Sequence, residues 1–257
     1  MGIGNRKEEI SVYHFFVQPE QIGEGNVRIV GTDVNHIKNV LRMKNGEEIC
    51  VSDGHDNDYY CRIVMLEKDE VVAEIIGVEK SSARLGAEIY LFQGLPKSDK
   101  MELIIQKAVE LGVTKIIPVD TKRCVVKLDE KKAEAKIKRW QSISESAAKQ
   151  SGRNEIPEIC PVMRFSEALK FVEDFDIKLI PYECSDKTMA DTRSIISGIR
   201  NGMKVAVFIG PEGGFEATEV DKAQEYGVCP ITLGKRILRT ETAGLMVLSA
   251  MVYQLED

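Results

Sequence analysis

Residues 204–252 read KVAVFIGPEGGFEATEVDKAQEYGVCPITLGKRILRTETAGLMVLSAMV, and their pattern decides the fold. An apolar run over 205–209, rich in β-branched residues, breaks into the turn Gly210-Pro211-Glu212-Gly213-Gly214. A polar helix then opens near Glu216 and closes at Gly227. A short strand over 231–233 runs into the charged loop 234–239, and Thr240-Glu241-Thr242 is read as capping a last helix with apolar Leu245, Met246, Leu248, Met251 and Val252. In an open parallel sheet, ligands sit beyond the carboxyl ends of strands, so two such loops side by side predict a pocket. Glycines at 210, 213, 214 and 234 would let backbone groups approach a ligand with no Cβ in the way.

Outward from this stretch, the period of the sequence changes once. Residues 12–78 are strand-rich, with runs at 13–17, 27–30, 48–52, 59–66 and 71–78, turn signals at Asn45-Gly46, Asp53-Gly54 and Lys68-Asp69, and one helix over 33–41. That pattern predicts a small β-barrel domain over residues 1–81 behind a frayed terminus over 1–9, with Ser81-Ser82-Ala83 as the linker. From residue 82 to 257 strand and helix alternate. Strands are expected at 89–92, 115–119, 158–162, 177–181, 205–209 and 231–233, and helices at 99–111, 129–149, 166–172, 189–199, 216–227 and 240–252. Asp99 and Glu102 are read as capping the first of these helices, and Trp140, in register with Ala133, Ile137, Ser144 and Ala147, as a core or dimer contact. The expected fold is α/β, a mostly parallel sheet covered on both faces.

The 257 residues carry a net charge of −6, distributed unevenly. Residues 1–81 hold 9 Lys and Arg against 15 Asp and Glu, which accounts for the whole excess of acid, whereas residues 97–153 hold 14 against 8. A polyanion would choose the second segment. Six scattered cysteines without a CxxC pair are read as reduced and cytosolic, and no apolar run approaches the roughly 20 residues of a membrane helix, so a cytoplasmic protein is expected. All three histidines fall at 14, 36 and 55, and no Cys/His spacing supports zinc, so no metal is expected. Neither GxGxxG at a first strand nor GxxxxGK[ST] is present, which removes the dinucleotide and P-loop readings.

GPEGGF (210–215) and LGKRILRTETA (233–243) closely resemble the C-terminal signature of the 16S ribosomal RNA (uracil-1498-N3) methyltransferases, of the superfamily with a C-terminal trefoil knot. HIKNVLRMKNGEEI (36–49), GLPKSDKMELIIQKAVELGV (94–113) and KQSGRNEIPEI (149–159) resemble the family's other blocks. Two positions depart from the family pattern: Lys149 stands where an acidic residue is expected and Lys100 where arginine is commoner. The resemblance implies the knot itself, a PUA-like RNA-binding barrel, a homodimer, and S-adenosylmethionine as cofactor. It implies backbone groups around Gly210, Leu233, Leu238 and Ala243 for adenine and ribose, with Ile209, Leu233, Ile237 and Leu238 as apolar walls. Glu212, Gly213, Gly214, Gly234, Thr240, Glu241 and Thr242 complete the expected cofactor site.

Methylating N3 of uracil requires loss of a weakly acidic proton, and no histidine lies in the predicted pocket. Glu212 is then the candidate base, with Arg239, Arg153 or Lys97 stabilising the uracil anion or a flanking phosphate. RNA contacts are expected from His36, Lys38, Arg42 and Lys44 on the barrel, from Lys97, Lys122 and Arg123, and from the 150–153 loop through Gln150 and Arg153, the last a suspect for holding an unstacked base. Two other functions remain open on the sequence: ribose 2′-O-methylation of RNA within the same superfamily, and a non-catalytic RNA-binding assembly factor.

Overall fold

The computed structural model describes residues 13–54, 57–80, 85–183 and 188–256. The expected linker at 81–83 and frayed terminus lie outside these residues. The chain groups into two compact units, Met1–Ala83 with Gly152–Glu155, and Arg84–Ser151 with Ile156–Asp257.

In the first unit, β1 (Tyr13–Phe16), β2 (Asn26–Val30), β3 (Glu48–Ser52), β4 (Asn57–Leu66) and β5 (Glu70–Lys80) form one sheet in the order β1-β3-β4-β5-β2. Only β1 and β3 pair in parallel; the other ladders are antiparallel. Alternation places Phe15, Val27, Ile29, Ile49, Val51, Cys61, Ile63, Val71 and Ala73 on one face, which closes over a dry core. Two register shifts in the β4–β5 ladder, at Tyr60/Cys61 and Ile63/Met65, bend the long strands so that the sheet curls. The helix expected over 33–41 is α1 (Thr32–Asn35) continued by one π-helical turn, His36–Val40, which buries Val34 and Ile37.

The second unit alternates as its sequence predicts. The strands are β6 (Glu88–Gly94), β7 (Lys115–Asp120), β8 (Glu158–Ile159), β9 (Met163–Arg164), β10 (Ile177–Pro181), β11 (Lys204–Ile209) and β12 (Cys229–Ile231). They form a parallel sheet in the order β12-β10-β11-β6-β7-β8, with β9 also pairing β7. The helices are α2 (Lys100–Glu110), α3 (Glu130–Gln150), α4 (Phe165–Phe171), α5 (Met189–Ile196), α6 (Ala217–Glu225) and α7 (Thr240–Leu255).

Strands buried on both faces read as apolar runs, as residues 89–92 of β6 and 205–209 of β11 do. Under α4 and α6 lies an aromatic cluster in which Phe92 and Phe208 stack at 4.6 Å, with Phe165 edge-on to Phe208. Stacked rings of this kind add about 0.5–1.5 kcal/mol beyond the area they bury. On the opposite face, α2 packs against α3 and α7, and α7 against β11. Trp140 is buried on α3, and the adjacent Gln141 and Ser144, one turn after Trp140, both donate to the Pro157 carbonyl, fixing the approach to β8.

Four expectations need correction. The last strand is 229–231, not 231–233, because Pro230 fits an edge strand that pairs only with β10. The strand expected at 158–162 is two short bridges to β7, broken around Pro161. Asp99 precedes α2 but makes no side-chain capping bond, and Glu102 pairs instead with Arg139 on α3 at 2.8 Å. Thr240 does not cap α7: Arg239 occupies the cap position, and the Thr240 hydroxyl is spent elsewhere.

Candidate functional site

The carboxyl ends of β6, β7, β10, β11 and β12 all point one way, and the loops that leave them surround a cavity of about 850 Å³. This is where an open parallel sheet places ligands, and the volume falls in the range of small-molecule and cofactor sites. The turn 210–214 after β11 forms one side and residues 232–239 after β12 the other, with Pro181, Tyr182 and Glu183 after β10 between them.

Hydrogen bonds and ion pairs at the edge of the cavity anchor the turn 210–214 and its neighbours. Glu212 accepts hydrogen bonds from the Lys97 backbone N–H at 3.1 and 3.3 Å, and its Oε1 lies 3.0 Å from Lys100 Nζ. Lys100 also reaches Glu241 at 3.5 Å, so one ammonium ties the glycine-rich turn to the first turn of α7. Burial pushes the Glu212 carboxyl up, but its own backbone N–H, the Lys100 ammonium and the Lys97 N–H outweigh it and hold the group below its ordinary value. The same contacts raise Lys100. Arg123 donates to the Gly213 carbonyl at 2.8 Å. Glu219, buried on α6, accepts from the N–H groups of Lys122 at 2.9 Å and Glu216 at 3.0 Å, joining the β7 loop to the start of α6. At the back, the Thr240 hydroxyl donates to the Gly210 carbonyl at 2.6 Å and accepts from Gln93 Nε2 at 2.9 Å.

Eleven of the thirteen expected cofactor residues line the cavity: Ile209, Gly210, Glu212, Gly213, Gly214, Leu233, Gly234, Ile237, Leu238, Thr240 and Ala243. Glu241 and Thr242 do not, and Glu241 enters through Lys100. Ile237 is 87% exposed, so it forms the rim and not the apolar wall expected of it; Ile209 and Leu233 are the better-covered surfaces. Gly234 has φ +102, a conformation L side chains rarely adopt, and its φ opens the loop beside the cavity.

Among the expected catalytic residues, Glu212 and Arg239 line the cavity, and Lys97 meets it through its backbone bond to Glu212. Arg153 does not line it; it is buried in the short segment grouped with the first unit. Gln150 is exposed at the end of α3. Of the expected RNA contacts, Arg123 lines the cavity, while Lys122 is held by Thr218 at 2.8 Å and Glu216 at 3.2 Å. In the first unit His36, Arg42 and Lys44 are exposed, whereas Lys38 donates to the Glu67 carbonyl.

The sequence reading missed Gln93, which looks like an ordinary strand residue yet is fully buried and bonded to Thr240. It noted Lys100 only as a departure, not as the bridge between two glutamates. A polar residue inside an apolar strand run was the available signal for Gln93.

The cavity carries five cations, Lys100, Arg123, Lys235, Arg236 and Arg239, against the two carboxylates Glu183 and Glu212. A positive rim suits a polyanion. Its donor set also fits S-adenosylmethionine. Backbone groups of two loops face a cavity with apolar surface at Ile209, Leu233 and Leu238, and carboxylates stand within it.

Comparison with known proteins agrees with this geometry. The RNA methyltransferase domain family matches residues 83–252, and the RNA methyltransferase PUA domain family matches residues 30–76. Ribosomal RNA small subunit methyltransferase E of Bacillus subtilis is 40% identical over 249 residues, covering 95% of this chain and 96% of its own. The protein of the same name from Mesomycoplasma hyopneumoniae is 36% identical, covering 94% and 99%. Among solved structures, ribosomal RNA small subunit methyltransferase E from Neisseria gonorrhoeae, bound to S-adenosyl methionine, superposes with a TM-score of 0.82 at 36% identity, covering 93% of this chain and 96% of its own. A putative methyltransferase from Legionella pneumophila, in complex with the same cofactor, also superposes at 0.82, with 32% identity and the same coverage. Sequence, fold and cavity therefore converge, and the chain belongs to the ribosomal RNA small subunit methyltransferase E family.

Proposed function

We propose that this chain transfers a methyl group from S-adenosylmethionine to N3 of one uridine, position 1498, of 16S ribosomal RNA in the small subunit, acting in the cytoplasm as a homodimer without a catalytic metal. The observation that carries the reading is the cavity between the 210–214 and 232–239 loops, in a chain whose relatives hold that cofactor.

The cofactor supplies an electrophilic methyl on a sulfonium. The backbone of Gly210, Gly213, Gly214, Leu233, Gly234, Leu238 and Ala243 would hold it, and Glu212, Thr240 and Glu241 act by fixing those loops, with Thr242 exposed on the first turn of α7 beside them. Glu212 is engaged on both oxygens and held below the usual carboxylate range, which makes it a weak base and a strong anchor. Arg239, exposed at the cavity, is the group best placed to stabilise uracil as its N3 anion, so that the proton passes to water. Lys97 and Arg153 are assigned to the RNA backbone or the unstacked base, together with Arg123, Gln150 and the exposed barrel cations His36, Arg42 and Lys44; Lys38 and Lys122 serve mainly to hold their own loops.

The homodimer is what the family resemblance implies, and Leu103 on α2 and Tyr253 on α7, at 45% and 89% exposure, are open apolar side chains that a partner subunit would cover. Sedimentation velocity at micromolar concentration reads it directly.

Nucleoside mass spectrometry of unmodified small-subunit RNA, incubated with the protein and S-adenosylmethionine, is the test of function. New 3-methyluridine is the expected product. A 2′-O-methylated nucleoside alone would keep the fold and overturn the base chemistry, and no methylation with no cofactor binding by calorimetry would favour an RNA-binding protein.

A further inference from the structure

His14, Cys50 and Asp58 lie far apart in sequence, but sheet register gathers them on one face of the first unit. His14 pairs with Cys50 in the parallel β1–β3 ladder, and Asp58 pairs with Ser52, two residues beyond Cys50, in the antiparallel β3–β4 ladder. Their side chains therefore project from the face opposite Phe15, Val51 and the rest of the core. One ligating atom from each, an imidazole nitrogen, a thiol sulfur and a carboxylate oxygen, lies within 4.8 Å of the other two.

A second observation points to a ligand. The His14 side chain is only 8% exposed, and its buried Nε2 has no hydrogen-bond partner among the described residues, lying 3.7 Å from Asp58 Oδ1. A buried ring nitrogen left unpaired is costly, so a ligand is expected to complete it. The Asp58 carboxylate is in turn oriented by the Ser52 hydroxyl, and Ser52 is fully buried. An outer-shell donor of this kind is typical of carboxylates that ligate metals.

We propose that His14, Cys50 and Asp58 form a site for a divalent cation of the zinc class, which staples β1 to β3 and β4. A nitrogen, sulfur and oxygen donor set suits a borderline-soft ion and not magnesium or calcium. Bond lengths of about 2.0–2.3 Å put tetrahedral ligands about 3.3–3.8 Å apart, so the observed spacing needs to contract by roughly an ångström. On binding, the Cys50 thiol gives its proton to solvent and water fills the remaining coordination.

The Asp58 carboxylate stands beside the His14 ring nitrogen and the Cys50 thiol, so a cation entering among the three meets a negative charge already in place. The structural benefit is specific too: among the described residues β1 pairs with β3 alone, over four residues. Linear spacing could not reveal the site, because a ladder and not a motif assembles it.

Cobalt titration of the full-length protein, stripped with a chelator, tests the proposal. The expected result is a thiolate-to-cobalt charge-transfer band that saturates at one equivalent, is abolished by zinc, is lost in Cys50→Ala and persists in Cys229→Ala. Removing one ligand is expected to weaken zinc at least about tenfold, since loss of an outer-shell partner alone costs about 10–100-fold. Zinc should also raise the Tm of the native protein and not that of Asp58→Asn, which keeps the shape of the side chain if Cys50→Ala fails to fold. No band in the native protein, an unchanged band in Cys50→Ala, or an equal zinc-induced Tm rise in Asp58→Asn would overturn it.

Discussion

The Thr240 hydroxyl donates to the Gly210 carbonyl at 2.6 Å, joining the first residue of α7 to the residue that follows β11. Gln93 Nε2, from the end of the adjacent β6, donates to the same hydroxyl at 2.9 Å and to the Gly94 carbonyl, also at 2.9 Å. Three segments that form the back of the cavity thus share one side-chain oxygen. Thr240→Val keeps the volume and deletes this oxygen, leaving a carbonyl and an amide less well paired. The expected cost is about 1–3 kcal/mol of stability, read as a lower urea midpoint at unchanged m-value, with weaker S-adenosylmethionine binding by calorimetry.

Lys100 makes a second clamp. Lys100→Met would leave Glu212 and Glu241 facing each other without their shared cation, so cofactor affinity is expected to fall about tenfold, or about 1.4 kcal/mol. Lys100→Arg should restore most of it, because a guanidinium can span two carboxylates. Equal loss in the methionine and arginine variants would show that the ammonium has no bridging role.

Acid should loosen the same clamp. The folded state holds the Glu212 carboxyl below its ordinary value of 4.5, so the stabilisation it provides is complete above that value and is lost as pH falls through the lower, folded one. Urea midpoints measured from neutral pH down to that range should fall less steeply for Glu212→Gln than for the native chain. Identical slopes would mean that Glu212 titrates alike in both states.

Gly94 sits where the end of β6 passes the glycine-rich turn. A Cβ there would lie 2.7 Å from both the ring Cδ and the backbone N of Pro211. Gly94→Ala therefore has to displace the 210–214 turn, and cofactor binding is expected to drop at least about tenfold with a lower Tm, the cost of overpacking being about 1–3 kcal/mol. Calorimetry and thermal melting check both.

How much of this was legible beforehand depended on whether the physics was local. Alternation and apolar runs placed β3 and β10 at the bounds observed, and the Lys115 and Lys204 strands within a residue. Where local signals competed with tertiary ones, the reading slipped. Thr240 looks like a cap, yet its hydroxyl goes to a carbonyl 30 residues earlier in sequence. The last strand was expected at 231–233 and lies at 229–231, where an edge position spares the missing N–H of Pro230. The glycines and charges of the cavity loops were visible as types; Gln93 and the Lys100 bridge were not, since both depend on which loops meet.

The cavity has one further consequence, for how its chemistry can be probed. Gly210, Gly213, Gly214 and Gly234 have only main chain to offer the cavity, and main chain survives any change of side chain. An alanine scan would therefore rank the clamps Lys100, Arg123 and Thr240 above the atoms that meet the ligand, mistaking the frame for the picture. Replacing single peptide bonds by esters, which removes one N–H and nothing else, is the way to weigh those atoms themselves.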